Sequence, residues 1–428
     1  MFSELGLSST VAARLPRLGY QTPTPIQTQA IPLVLSGGDV LARAQTGTGK
    51  TAAFGLPMIE RMLVQNAAAR HTPRGLILVP TRELAAQVHA ALTAYAASTR
   101  ARVTAIFGGV GMGGQVEALR RGTDIIVATP GRLIDHMARR TVDLAKVEVL
   151  TLDEADRMLD MGFLPALRRV LAALPRNRQT LLFSATLSDE VISLSAAFTR
   201  NPTRVDVEAA QVVAATVTHQ VHRVAADRKR EALARILTQH GESQTLVFCR
   251  TKRGANRVGE DLSERGVRTG VIHGNKSQNA RSRALDDFKA GRVRVLVATD
   301  IAARGIDIVQ LPLVVNFDLP LVAEDYVHRV GRTGRAGHPG RAVSLASAAD
   351  AELLRGIGKL VKSPLEFVTA PDGEGSEVVR AVTEARVTPG PNPAGRRGAP
   401  GRGRRDDWKR GPHTADRHRQ RQAPARAR

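Results

Sequence analysis

Short apolar runs alternate with stretches of helical spacing along this chain, and that alternation leaves few architectures open. In the first half the runs are 75–79, 124–128, 147–152 and 179–183, with helical spacing over 83–97 and 115–121 between them. A strand that is apolar without interruption is buried on both faces, as in a parallel sheet covered by helices on each side. Around 206–218 the pattern gives way to a small-residue stretch, Glu208-Ala-Ala-Gln-Val-Val-Ala-Ala215. It resumes with runs at 244–248, 269–272, 293–298 and 313–317. The expected fold class is therefore α/β, with two tandem parallel-sheet domains at 1–207 and 218–368 and a linker at 208–217.

A length of 428 residues agrees, because it exceeds what one ordinary core supports. After about residue 370 no apolar periodicity remains. The segment 369–428, rich in Arg, Gly and Pro, cannot bury enough surface to offset the entropy of ordering and is expected to be a disordered tail. The chain carries a net charge of +22, of which residues 396–428 hold +9 and the first 395 residues +13. Both parts point to a polyanionic partner. The lone Cys249 excludes an internal disulfide and, inside an apolar run, reads as a core residue. No stretch approaches twenty unbroken apolar residues, and the N-terminus lacks a basic region followed by an apolar one. The expectation is a cytoplasmic protein with no membrane partner.

Two segments carry recognisable chemistry. Ala44-Gln-Thr46-Gly47-Thr48-Gly49-Lys50-Thr51 follows a strand-like stretch and fits a phosphate loop. Its glycines let backbone amides turn towards phosphate oxygens at the start of the next helix. Lys50 supplies a charge for the β- and γ-phosphates, and Thr51 a hydroxyl for magnesium. About a hundred residues later, Asp153-Glu-Ala-Asp156 closes an apolar run. Asp153 is placed to reach the metal, and Glu154 to orient or deprotonate an attacking water. Asp156 has no necessary part in binding the metal. Upstream, Tyr20 and Gln27 offer a ring to stack on a base and an amide to bond its edge, although Tyr20 equally suits a core anchor.

Taken in order, these and later segments resemble the DEAD-box family of ATP-dependent RNA helicases, and within it the bacterial RhlE-type subgroup. The resemblance runs from about Phe2 to Leu365. It includes Pro80-Thr-Arg-Glu-Leu-Ala85, Gly108-Gly109, Thr129-Pro-Gly-Arg132 and Ser184-Ala-Thr186. In the second half it includes Val247-Phe-Cys-Arg-Thr251, Ala298-Thr-Asp-Ile-Ala-Ala-Arg-Gly-Ile-Asp307 and His328-Arg-Val-Gly-Arg-Thr-Gly-Arg335. The resemblance implies two RecA-like domains with ATP, magnesium and RNA in the cleft between them. It assigns Tyr20 to stacking on adenine, Gln27 to reading its edge and Asp307 to the ribose. It assigns Arg332 and Arg335 to the γ-phosphate across the cleft, where guanidinium groups contribute on the order of 10³–10⁵ in rate. Ser184 and Thr186 are implied to couple hydrolysis to strand separation. Of the histidines, His273 and His328 have no partner at ligand spacing, and metal ligation is rejected for both.

Thr81, Arg82, Gly109, Thr129 and Arg132 all follow strand ends, where hydroxyls and small residues admit a phosphate backbone and arginines neutralise it. By resemblance Gly274, Gln278, Arg281 and Thr299 face the same strand from the second domain. Aromatic residues make up only 3% of the chain, so backbone contacts with little sequence preference are expected. The resulting expectation is RNA-stimulated ATP hydrolysis that opens short duplexes locally, without processive translocation. Ribosomal precursors and RNA-degradation complexes are both open as settings. An RNA clamp or annealing factor driven by the basic tail is the alternative, and a DNA helicase a third reading.

Overall fold

The computed structural model describes residues 1–45, 47–63, 72–207, 217–303, 308, 310–334, 339–361 and 363–369. The expected linker apart from Val217, and the expected tail from residue 370, lie outside the described residues.

The first sheet is built from β1 (Val40–Arg43), β2 (Gly75–Leu78), β3 (Val103–Ile106), β4 (Ile125–Ala128), β5 (Val149–Asp153), β6 (Gln179–Ser184) and β7 (Thr203–Asp206). The second uses β8 (Val217–Arg223), β9 (Thr245–Cys249), β10 (Thr269–Ile272), β11 (Val295–Thr299), β12 (Leu313–Asn316), β13 (Gly340–Ala346) and β14 (Leu365–Thr369). The orders are β3-β4-β2-β5-β6-β1-β7 and β10-β11-β9-β12-β13-β8-β14. Position for position these are the same order, and every pairing is parallel. Both sheets belong to one compact unit.

The apolar runs are explained by helices on both faces. In β2, Ile77 joins one buried cluster while Leu76 and Leu78 join the other, as the alternation of side chains across a strand requires. In β9, Val247 and Cys249 face one cluster and Leu246 and Phe248 another. Cys249 is fully buried, and burial pushes its thiol well above the usual range. Residues Phe2, Leu5, Leu7, Val11 and Leu15 pack into the first domain's core beside β1, so the segment that carries Tyr20 is anchored to that domain. Among the described residues no helix is long and apolar enough to cross a membrane.

The helices that carry the site are, in chain order, α1 (Lys50–Leu63), α2 (Arg82–Ala96), α3 (Ala155–Asp160), α4 (Gln278–Lys289) and α5 (Ala323–Val330). α2 shows why such segments are helical. Thr81 caps it by accepting the Leu84 N–H at 3.3 Å, and the alanine-rich sequence buries Leu84, Ala85, Val88, Leu92 and Tyr95 along one face. Since all strands of a sheet run the same way, their carboxyl ends lie along one edge. The loops that follow them gather there, as in other open α/β sheets.

Candidate functional site

The candidate phosphate loop leaves β1 at Arg43 and ends where α1 begins with Lys50. Gly47 and Gly49 hold φ of 83° and 94°, a region in which side chains are strained. At Gly49 a Cβ would also collide with the Gln27 amide. Gln27, 1% exposed, accepts the Thr24 N–H at 2.9 Å and donates to the Gly49 carbonyl at 3.1 Å. Thr24 donates its hydroxyl to the Thr48 carbonyl at 2.8 Å, and Thr48 its own to Gln45 at 2.7 Å. Gln27 is thus part of the loop's scaffold. Buried Lys50 donates from Nζ to the Ala44 carbonyl at 2.9 Å, and Thr51 follows it, half-buried. Thr46 lies outside the described residues.

Tyr20 is half-buried. Its ring stands edge-to-face with Phe2 (centroids 6.2 Å apart, 86°) and Tyr95 (5.7 Å, 76°). Its hydroxyl shares a hydrogen bond with that of Tyr95, 2.5 Å between oxygens. The ring is a core anchor on one side and open on another.

The acidic tetrad stands at the tip of β5. Asp153 is the last strand residue and accepts the Glu154 N–H at 3.0 Å. Glu154 turns the chain through a left-handed conformation, φ 56° and ψ 50°, before α3 starts. Its carboxylate receives Arg157 Nη1 at 2.8 Å, with both side chains almost fully buried. Burial pushes Asp153 up to about 6, against the pull of Lys50 and with help from Glu154. Burial works in the same direction on Asp156, but Lys50, His328 and Arg157 hold that carboxyl below its ordinary range.

Asp156 has a task that sequence reasoning missed. Its Oδ2 accepts the N–H groups of Ala185 and Thr186, each at 3.0 Å, and the Thr186 hydroxyl at 3.2 Å. Its own N–H donates to Ser184 Oγ at 3.3 Å. The tetrad therefore grips the segment that follows β6. Both partners were visible as motifs, but nothing in their spacing of 28 to 30 residues announces the bond.

From the second domain, α5 brings His328 to the tetrad. Burial first, then Arg157, push His328 down to about 4, against Asp156, Asp325 and Glu154, so the imidazole is neutral. Arg332 lies just beyond α5 and is 3% exposed. Asp307 and Arg335 lie outside the described residues. α5 is fixed by Arg329, whose guanidinium donates to both Asp300 oxygens (2.6 and 2.7 Å), to Asn316 Oδ1 (3.0 Å) and to the Asp318 carbonyl (2.6 Å). One buried arginine thus ties α5 to residues beyond β11 and at the end of β12.

A cleft of about 540 Å³ lies beside this site, lined by Thr81, Arg82, Gly109, Thr129, Arg132, Gly274 and Arg281 among others. Arg82 lies over Gly108 and Gly109 so closely that a Cβ at Gly109 would strike its guanidinium. Arg132 donates to the Val110 carbonyl at 3.1 Å. Across the cleft, Gln278 Nε2 donates to Glu83 Oε1 at 2.9 Å, and Arg281 Nη2 meets Glu83 Oε2 at 3.0 Å. Glu83 at the start of α2 was not anticipated. Gln278 Oε1 and Arg281 Nε are buried and find no partner among the described residues, which is valence suited to a polar ligand. Thr299 is buried at the end of β11 and is not part of the cleft lining. His273 accepts the Asn275 N–H on Nδ1 at 3.2 Å, so Nε2 donates to Asn256 Oδ1 at 2.8 Å. That is a structural arrangement.

Comparison with known proteins agrees with this geometry. The family described as DEAD/DEAH box helicase matches residues 24–194, and the helicase conserved C-terminal domain matches residues 228–337. The chain is 41% identical over 387 residues to the DEAD-box ATP-dependent RNA helicase CshA of Bacillus licheniformis, covering 90% of this chain and 79% of that one. It is similar to S. cerevisiae Dbp5 bound to RNA and ADP BeF3, with a TM-score of 0.77 and 30% identity over 89% of this chain and 99% of that one. A second similar structure is Mss116p bound to ssRNA and AMP-PNP, with a TM-score of 0.77 and 26% identity over 90% of this chain and 81% of that one.

Proposed function

Because this chain belongs to the DEAD-box family of ATP-dependent RNA helicases, we propose that its two domains close over ATP and RNA together, and that closure opens short duplexes locally. Lys50 and the amides of Gly47 to Gly49 cradle the phosphates. Tyr20 stacks on adenine, Gln27 bonds its edge, and Glu154, steadied by Arg157, orients and deprotonates the attacking water. Arg332, with Arg335, meets the charge that develops on the transferring phosphoryl, while Asp307 holds the ribose. The observation that supports this reading most directly is His328, which stands against Asp156 and Arg157 with Arg332 four residues further on.

The donor set fits magnesium. Among the described residues the Asp153 carboxylate accepts a single hydrogen bond, from Glu154 N, leaving lone pairs for a hard cation beside the Thr51 hydroxyl. When bound, the ion would neutralise phosphate charge.

On the RNA side, Thr81, Arg82, Gly109, Thr129 and Arg132 face Gly274, Gln278 and Arg281, with Thr299 behind the lining, and none of these offers a base-stacking ring. They take hold of a backbone, and a groove closed by Glu83 admits one bent strand. Asp156 couples the two halves, since the carboxylate beside the metal ligand also grips Ala185 and Thr186, and its N–H bonds Ser184. The domain limits 1–207 and 218–368, a cytoplasmic setting and a place in ribosome assembly or RNA decay belong to this proposal. The RhlE-type subgroup does too, and it rests on the motifs alone, since the relative named above is a CshA protein.

The test is phosphate release with and without single-stranded RNA, in the wild type and in Glu154→Gln. RNA should accelerate the wild type, and the variant should lose on the order of 10²–10⁴ in rate. Equal rates with and without RNA would sink the coupling, and an unaffected variant would sink the role of Glu154.

A further inference from the structure

We propose that Tyr95 is a positioning residue for adenine recognition, and that α2 carries the adenine ring's support and the RNA groove on one rigid element. This rests on the reading of Tyr20 as the adenine-stacking residue. Tyr20 comes at the end of an N-terminal segment that has no strand of its own to hold it. The chain enters Tyr20 through Gly19, at φ 85°, and the Tyr20 N–H is tied to the Leu15 carbonyl at 3.0 Å, so the aim of the side chain is left to what the ring and hydroxyl touch.

The ring touches Phe2 on one edge, and ring and hydroxyl together meet the last turn of α2. Tyr95 is 3% exposed and stands edge-to-face with Tyr20, and the two hydroxyls are hydrogen-bonded. Burial, then Tyr20, push the Tyr95 phenol well above its ordinary range. Two further bonds dock the same segment on the same helix end. Arg14 Nε donates to the Ala94 carbonyl and Ser98 Oγ to the Thr10 carbonyl, both at 2.9 Å. Tyr95 is the one of these contacts that acts on the stacking ring itself.

The other end of α2 opens on the RNA groove, with Arg82 over Gly109 and Glu83 bonded to Gln278 and Arg281. Towards that same end α2 packs on α1, where Leu92 and Tyr95 lie against Gly55. The helix that starts at the RNA groove thus ends at the adenine side and there also leans on the phosphate-loop helix.

The experiment is calorimetric titration of ADP and of inorganic triphosphate, each with magnesium, into the full chain as wild type, Tyr95→Phe and Tyr20→Ala. Tyr95→Phe keeps the ring and its edge contact and removes only the hydroxyl. It should weaken ADP roughly two- to tenfold, the value of one net hydrogen bond, and leave triphosphate unchanged. In RNA-stimulated turnover KM for ATP should rise by the same factor at constant kcat. Unchanged ADP affinity in Tyr95→Phe beside weakened affinity in Tyr20→Ala would reduce Tyr95 to a packing residue. Equal loss for ADP and triphosphate would mean general loosening and would also overturn the proposal. If Tyr20→Ala itself left ADP untouched, the stacking reading would fall first.

Discussion

Asp153 is a carboxylate placed where water cannot solvate it, and its acidity follows. In the nucleotide-free enzyme burial pushes its pKa up to about 6, whereas a carboxyl in an unfolded chain titrates near about 3.9. The folded state therefore holds this proton more tightly. Its stabilising contribution is greatest below the unfolded value and is lost as pH rises through about 6. Catalysis runs the other way, because only the ionised form can ligate a cation. We expect kcat/KM for ATP to fall as pH drops through about 6, while kcat at saturating magnesium and ATP holds to lower pH, since the cation favours the charged carboxylate. Paired pH–rate profiles would check this, and superimposable acid limbs would contradict it. Lys50, Asp153 and Glu154 were legible in the sequence because a phosphate loop and a strand-terminal acid have local signatures. Asp156, Arg157 and Glu83 were not assigned their partners. Asp156 binds a segment 28 to 30 residues away, and Glu83 binds residues 195 and 198 positions on, and no local pattern encodes such contacts.

At the scale of elements, α2 is joined to α4 through Glu83 alone among the bonds described, with Gln278 buried and Arg281 half-buried against it. Glu83→Gln keeps the shape and removes the charge, leaving Arg281 at the cleft wall without its counter-ion. Removing one partner of a fully buried pair costs about 3–5 kcal/mol, an upper bound for this pair at the cleft wall. Here it falls on the closed arrangement, because the partners belong to different domains. Single-stranded RNA binding in the presence of AMP-PNP should weaken at least tenfold, measured by fluorescence anisotropy, with ADP binding unaltered. RNA affinity equal to the wild type would show that Glu83 does not hold the groove closed. Most strands were legible for a physical reason. β2, β4, β5, β9 and β11 are buried on both faces and read as unbroken apolar runs. β3, β7 and β8 alternate or are largely exposed, so their sequences Val-Thr-Ala-Ile, Thr-Arg-Val-Asp and Val-Thr-His-Gln-Val-His-Arg carry no such run. β8 accordingly begins at Val217, a residue the sequence reading placed in the linker.

For the whole molecule, charge is the quantity that the sequence alone supplies. The last 33 residues hold +9 of the net +22, and a chain of this kind binds polyanions by releasing their counterions. Deleting residues 380–428 should lower RNA affinity at low salt and flatten its dependence on salt concentration. ATP turnover at saturating RNA should be largely kept, because Lys50, Glu154 and Arg332 all remain. Affinity unchanged at low salt would refute the role of the tail.

The hydrogen bond from Lys50 to the Ala44 carbonyl also bears on how the enzyme waits between turnovers. The loop's cation has a resting place on the loop's own backbone, so no stranded charge has to be rescued when a ligand arrives. An incoming phosphate trades one acceptor for another, and the selectivity of binding comes from the base, the sugar and the far domain.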